Sequence, residues 1–138
     1  MEQVFEFVGN HMLLATALVV LLIALVVTEN KRGGQSVSTH EATKLINREK
    51  AVVLDLRPQA EFKNGHIVDA LNIPYTSLSG HLTELEKYKD RPIILVCKMG
   101  QHSGAAAKIL MKAGYNQVTR MAGGMAEWGS SNLPVVKS

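Results

Sequence analysis

Pro92-Ile93-Ile94-Leu95-Val96-Cys97-Lys98-Met99-Gly100-Gln101-His102-Ser103-Gly104-Ala105-Ala106-Ala107-Lys108-Ile109-Leu110-Met111 decides the reading of this chain. A short, continuously apolar run ends in the single cysteine of the sequence, a polar stretch with Gly100 follows, and an alanine-rich helical pattern begins at once. The order is buried strand, tight loop, helix. Backbone N–H groups converge at such a turn and the helix dipole presents positive charge there, so both favour an anion on the Cys97 sulfur. A helix terminus contributes at most about 2 kcal/mol. The amides from Lys98 to Ser103, and the Lys98 ammonium, must add to it. Gly100 suits a loop folded around one sulfur atom, because it tolerates positive φ. Without context a lone cysteine is more often a small buried hydrophobe than a nucleophile; strand, glycine-bearing loop and helix reverse that balance.

The same alternation extends in both directions. Ser38-Thr39-His40-Glu41 has the spacing of a capping box, and Ala42, Leu45 and Ile46 give the following helix, to about Arg48, its apolar face. Ala51-Val52-Val53-Leu54 reads as a buried strand ending in Asp55. Pro58 breaks the chain, Gln59 to Lys63 make one or two helical turns, and Asn64-Gly65 marks a turn before His66. Ala70 to Pro74 predicts a second strand, and Leu78, Leu82, Leu85 and Tyr88 predict a helix over Ser77 to Lys89. Beyond the helix that follows Cys97, which stops at Gly114, Gln117 to Met121 is a further strand. Gly123-Gly124 opens a last short helix carrying Trp128. Short strands alternating with helices imply an α/β fold: a parallel sheet with helices on both faces and the C-terminal strand ends along one edge. Asp55 and Cys97 would share that edge. About 105 residues suffice for one such core.

The N-terminal part is different. From Met12 to Thr28 there is no charge, and only Thr16 interrupts the apolar and small residues up to Val27. As a helix this stretch is roughly 25 Å long, at the short end for a bilayer unless Phe5, Phe7 and Val8 extend it. Glu2 and Glu6 before it and Glu29-Asn30-Lys31-Arg32 after it do not suit a cleaved signal peptide, and the stretch itself has no polar face for an interfacial helix. It reads as a single transmembrane helix at about 10–28 within an N-terminal segment 1–30, followed by a linker, 31–36, that includes Gly33-Gly34-Gln35-Ser36. Lys31 and Arg32 place the C-terminal part in the cytoplasm and the N-terminus outside. A reducing compartment suits a lone thiol.

Net charge is +3 and the pI about 9.1, with the basic residues dispersed among acids as solvated faces. Aromatic content of 5% and the lack of a basic stripe exclude nucleic acid as a partner. His11, His40 and His81 are scattered and no ligand spacing is present, so neither a metal nor any other cofactor is expected.

Taken in order, Asp55-x-Arg57, Glu61-Phe62, Gly65-His66-Ile67, Ala70-x-Asn72-Ile73-Pro74, Cys97-x-x-Gly100, Gly123-Gly124-x-x-x-Trp128 and Leu133-Pro134 resemble the rhodanese family from about Val37 to Val135. With the anchor, the chain resembles the small, membrane-anchored, YibN-like rhodanese proteins of bacteria. The resemblance implies a five-stranded parallel sheet, a rhodanese domain over 37–136 and a location in the bacterial inner membrane. It also implies a sulfurtransferase in which Cys97 is the catalytic residue. Cys97 accepts sulfane sulfur from a small donor, thiosulfate or a persulfide, and passes it as a persulfide to a thiol or cyanide acceptor. Lys98, Met99, Gly100, Gln101, His102 and Ser103 form the active-site loop.

Many members carry arginine directly after the cysteine; Lys98 keeps the charge without the bidentate fork, and His102 is only partly charged near neutral pH, so weak thiosulfate binding is expected. Asp55 and Arg57 are supporting residues that shape the domain, with Arg57 paired to Glu61 or another carboxylate. His66 fits a hydrogen-bonded structural histidine and Trp128 a core anchor. Gly123 and Gly124 fit either a pocket lining or a plain turn. The alternative function is a catalytically weak or idle rhodanese-fold adaptor on a membrane protein complex, with membrane lipid as a partner in both cases. A cysteine-dependent phosphatase would need an arginine where Gln101-His102-Ser103 stand.

Overall fold

Val52-Val53-Leu54-Asp55 (β2) and Ile93-Ile94-Leu95-Val96 (β4) are buried at every position. They pair in parallel, Val52 opposite Ile93 through Asp55 opposite Val96. The computed structural model describes residues 1–32 and 34–137, with side chains outside 29–32. It completes the sheet with β1 (Gln35–Val37), β3 (Leu71–Asn72) and β5 (Val118–Met121), in the order β1-β5-β4-β2-β3, every pairing parallel. Alternate residues leave a strand on opposite faces, which explains why β4 and Val52 to Leu54 of β2 are apolar throughout: both faces are covered. Leu54, Ile93, Leu95 and Val118 pack with Ala106, Ala107 and Leu110 of α5 (Ser103–Lys112). Val53, Ile94, Val96 and Met121 pack with Ala42 of α3 (Thr39–Arg48) and Trp128 of α6 (Gly124–Ser130). Behind α5, the Tyr115 hydroxyl donates to the Leu82 carbonyl at 2.9 Å. Burial, and then the nearby Glu86, push that phenol above its ordinary value.

The capping box at the start of α3 is present: Ser38 Oγ accepts from the Glu41 N–H at 3.1 Å and Glu41 Oε2 accepts from the Ser38 N–H at 3.2 Å. Elsewhere the sequence reading needs correction. The predicted helix over Ser77 to Lys89 is two 3₁₀ helices, Tyr75–Gly80 and Leu82–Tyr88, separated at His81. Leu82, Leu85 and Tyr88 are three residues apart, a spacing that lines up on a 3₁₀ face as well as on an α-helical one. The strand expected over Ala70 to Pro74 shortens to Leu71–Asn72. Of the expected linker, Gln35 and Ser36 belong to β1, whose pairing with Thr119 and Arg120 turns them into a sheet edge; residue 33 lies outside the described residues.

The chain divides into two units, Met1–Lys31 and Arg32–Ser138. The first unit does not show the expected single transmembrane helix at about 10–28. Its helices α1 (Glu2–Asn10) and α2 (Met12–Arg32) meet at His11, and the axes of Glu2–Asn10 and Met12–Thr28 differ by 95°. Among the described residues no single helix is long and apolar enough to cross a membrane, although the bent pair meets that test by length and composition. Gly9 and Asn10 are poor helix formers, and His11 leaves helical geometry at φ −125°, ψ 45°.

Two contacts fix the C-terminal edge of the sheet. Asp55, 1% exposed, accepts from Arg57 Nε at 3.0 Å, from Arg57 Nη2 at 2.8 Å and from the Arg57 N–H at 3.0 Å. Arg57 Nη2 also donates to the Gly65 carbonyl at 2.7 Å, tying α4 (Gln59–Asn64) to β2. The second contact is backbone on backbone. At the start of α6 the Met125 N–H donates to the Cys97 carbonyl at 2.8 Å and the Ala126 N–H to the Lys98 carbonyl at 2.9 Å. Gly124, at φ +58°, lies so close that a Cβ there would be 2.1 Å from the Cys97 oxygen.

Asp55→Ala leaves the Arg57 guanidinium buried without its partner and should cost about 3–5 kcal/mol in urea unfolding of the full-length chain. Gly124→Ala should cost about 3 kcal/mol or more, through positive φ and the clash together. Gly129→Ala, whose added Cβ meets nothing within 4 Å, serves as the near-neutral control. A Gly124 variant as stable as this control would contradict the close approach.

Candidate functional site

Cys97 follows the last residue of β4 and is 2% exposed. The chain order of the sheet places it well: β3 lies on one side of β2 and the chain then crosses to form β4 on the other, so the C-terminal ends of β2 and β4 flank a topological switch point. Sγ is 3.4 Å from Ser103 Oγ, the first residue of α5, and 3.5 Å from Gln101 Oε1. Gln101 Oε1 also accepts from the Met99 N–H at 3.0 Å, which identifies this atom as the oxygen of the amide. The Gln101 side chain therefore folds back across its own loop, and its contact with sulfur is one that a thiol S–H makes as donor. Ser103, 1% exposed, has a hydroxyl able to donate to sulfur once the proton has left.

The loop around this sulfur is held from below. Gly100 takes φ +92°, and the carbonyls of Cys97 and Lys98 point into the first turn of α6. With the carbonyls engaged there, the amides of Gly100, Gln101 and His102 have no hydrogen-bond acceptor among the described residues. Successive free N–H groups ahead of a helix N-terminus make a concavity suited to an anion. A neutral apolar ligand would gain nothing from it.

The rim is cationic and partly aromatic. Lys98 is exposed, with Nζ 3.9 Å from Glu61 Oε1, a distance and exposure at which the pair holds neither side chain firmly. The His102 ring stacks on Tyr75, centroids 4.7 Å apart and planes within 10°. Met99 stands 67% exposed at the tip of the loop. A separate cavity of about 730 Å³ is bounded by Ile46, Val53, Ile67, Trp128 and Leu133, among others, and by no residue of the Cys97 loop.

Of the residues singled out from sequence, Gln101 and Ser103 approach the Cys97 sulfur, Met99 and Gly100 belong to the same loop, and Lys98, Met99 and His102 are exposed. Asp55 and Arg57 do not join them. Asp55 is level with Val96, but its carboxylate is occupied by Arg57, so of the partners expected for Arg57 it is another carboxylate and not Glu61 that holds it; Glu61 faces Lys98. His66 is structural: its Nδ1 lies 2.7 Å from the Phe62 carbonyl and its ring stacks on Phe62 at 3.8 Å. Trp128, 4% exposed, donates Nε1–H to the Pro134 carbonyl at 3.0 Å. Two rim residues, Tyr75 and Glu61, were not legible as such in the sequence. Tyr75 follows Pro74 at the start of a 3₁₀ helix, and only the tertiary fold brings it to His102.

Comparison with known proteins agrees with this geometry. Residues 38–131 match the rhodanese-like domain family. The protein YibN of Escherichia coli strain K12 is 40% identical over 99% of both chains. A sulfurtransferase of Allochromatium vinosum is 33% identical over 67% of this chain and 85% of its own. Among solved structures, a rhodanese-related protein from Thermoplasma volcanium superposes with a TM-score of 0.68 at 28% identity, covering 75% of this chain and 99% of that one. A buried cysteine at the end of the central strand, the five-stranded parallel sheet and these similarities converge: the chain belongs to the rhodanese family, with a sulfurtransferase-type role at the level of the family.

Proposed function

We propose that this protein is a membrane-anchored sulfurtransferase that carries sulfane sulfur as a persulfide on Cys97. The observation that carries the reading is the arrangement just described: a buried sulfur at a strand end, with loop carbonyls bonded to α6 and loop amides left free beside it. The Cys97 thiol first loses its proton to solvent. The thiolate then attacks the outer sulfur of thiosulfate, the S–S bond of the donor breaks, and sulfite leaves with the bonding pair, giving Cys97–S–S⁻. Cyanide or a thiolate attacks the terminal sulfur in turn, and the Cys97 thiolate is regenerated.

Each state places negative charge on sulfur, and the free amides and the Ser103 hydroxyl are the groups placed to meet it. Gln101 must swing out or turn its amide, because its oxygen beside sulfur suits the thiol and opposes an anion. Lys98 is the cation for an incoming anionic donor; with Glu61 beside it and no guanidinium fork, weak thiosulfate binding follows, and a persulfide donor fits the site as well.

The anchor in this reading is the uncharged part of α2, Met12 to Thr28, in the bacterial inner membrane, which has the length and composition for a membrane together with α1. The uncharged stretch to Thr28 supports it, as does the position of Lys31 and Arg32 directly after the span in sequence, which favours a cytoplasmic rhodanese unit and an outside N-terminus. The Thr16 and Thr28 hydroxyls donate to the carbonyls of Met12 and Ala24, so neither adds an unpaired donor to an apolar helix. Confinement to a membrane raises the effective concentration of the domain near partners in the same surface.

Given thiosulfate and cyanide, the full-length chain should release thiocyanate. Cys97→Ser should abolish this, and Ser103→Ala should slow it by about tenfold, the worth of one hydrogen bond to an anion. Equal turnover by wild type and Cys97→Ser would overturn the reading.

A further inference from the structure

The 95° corner at His11 leaves α1 with an apolar surface that α2 does not continue. At about 100° per residue, Glu2, Glu6, Asn10 and Gln3 occupy one arc of α1, and Phe7, Val4, Val8 and Phe5 occupy the opposite one. No residue of α1 is buried, and Val4, Phe5 and Phe7 are 60%, 70% and 62% exposed. This is the polar face that Met12 to Thr28 lacks. A helix with segregated faces, joined at a right angle to a helix that is apolar all round, has the form of an interfacial segment followed by a span.

The lengths agree. The uncharged part of α2 is roughly 25 Å long, about 5 Å short of a typical hydrocarbon core. An interfacial helix sinks its apolar face about 5–10 Å below the headgroups, which draws the corner residue and the start of α2 down by the missing amount. His11 suits that depth. Its ring lies 4.8 Å from that of Phe7, and its N–H closes α1 on the Phe7 carbonyl at 3.0 Å. Glu2 and Glu6 on the polar face select against an anionic surface and for zwitterionic headgroups.

We propose that α1 lies flat in the membrane–water interface on the non-cytoplasmic side, with Val4, Phe5, Phe7 and Val8 at the acyl boundary and Glu2, Gln3 and Glu6 among zwitterionic headgroups. The inference rests on the reading of α2 as a span. The test keeps the two apart. In a full-length Cys97→Ser background, single cysteines are introduced by Gln3→Cys, Val4→Cys, Phe5→Cys, Glu6→Cys, Phe7→Cys and Val8→Cys, with Leu21→Cys as the reference for the span. Each variant is nitroxide-labelled and reconstituted into phosphatidylcholine–phosphatidylethanolamine vesicles, and its collision with oxygen and with a water-soluble nickel complex is measured.

The expected pattern is helical: labels at 4, 5, 7 and 8 favour oxygen at one shared shallow depth, those at 3 and 6 favour nickel, and the label at 21 is deep. A depth that increases steadily from 3 to 8 would make α1 a bent continuation of the span and overturn the inference, as would nickel access at all six positions. Either result with a deep label at 21 leaves the span standing. Nickel access at 21 would overturn the span and this inference with it.

Discussion

The contact between the Cys97 carbonyl and the first turn of α6 is the constraint on which the candidate site depends. A helix N-terminus offers N–H groups that need acceptors, and here two of them take the carbonyls of Cys97 and Lys98. That fixes the orientation of the peptide groups entering the loop and leaves the next amides without acceptors. The approach is possible only because position 124 has no side chain, and its positive φ brings the chain round to start the helix. The Gly123-Gly124 pair and Cys97 are far apart in sequence but form one device. Its lower half supplies geometry and its upper half supplies chemistry.

The device sits at the end of the central strand of the sheet. β4 is the central strand, paired on both sides, and each of its four residues is buried against one of two apolar layers. Asp55 and Arg57 stiffen the adjoining edge by closing α4 onto β2, a buried pair with several hydrogen bonds whose role is positional. Anion stabilisation by backbone dipoles is effective when those dipoles cannot turn away, and here strand, loop and both helices hold them. What remains adjustable is at the rim. Lys98, Met99, Gln101 and His102 are exposed side chains, and they are the ones that a donor or acceptor would meet first.

Much of this was legible in the sequence because local physics sufficed. Strands buried on both faces read as unbroken apolar runs, Ser38 and Glu41 announced a helix start, and a cysteine between such a run and a helical pattern marked the site. The failures have equally local causes. Gln35-Ser36 is a polar pair that joins a strand only by pairing with β5, so nothing in its own pattern separates it from a linker. Leu78, Leu82 and Leu85 satisfy helical spacing, yet Gly80-His81 divides them into two 3₁₀ turns. That Arg57 needs a carboxylate was legible, but the choice between Glu61 on the next helix and Asp55 at the end of β2 is made by the tertiary fold, which buries Asp55. The right angle at His11 was hidden within a hydrophobic profile that continues through it.

The central claim is that Cys97 holds sulfur as a stable, amide-bound persulfide, and intact mass measures this most directly. The full-length chain is exposed briefly to a persulfide donor, freed of excess reagent and weighed before and after reduction. The account predicts the gain of one sulfur atom per chain, removed by reductant and absent from Cys97→Ser. A wild-type mass that does not change, or a variant that gains sulfur equally, would contradict it.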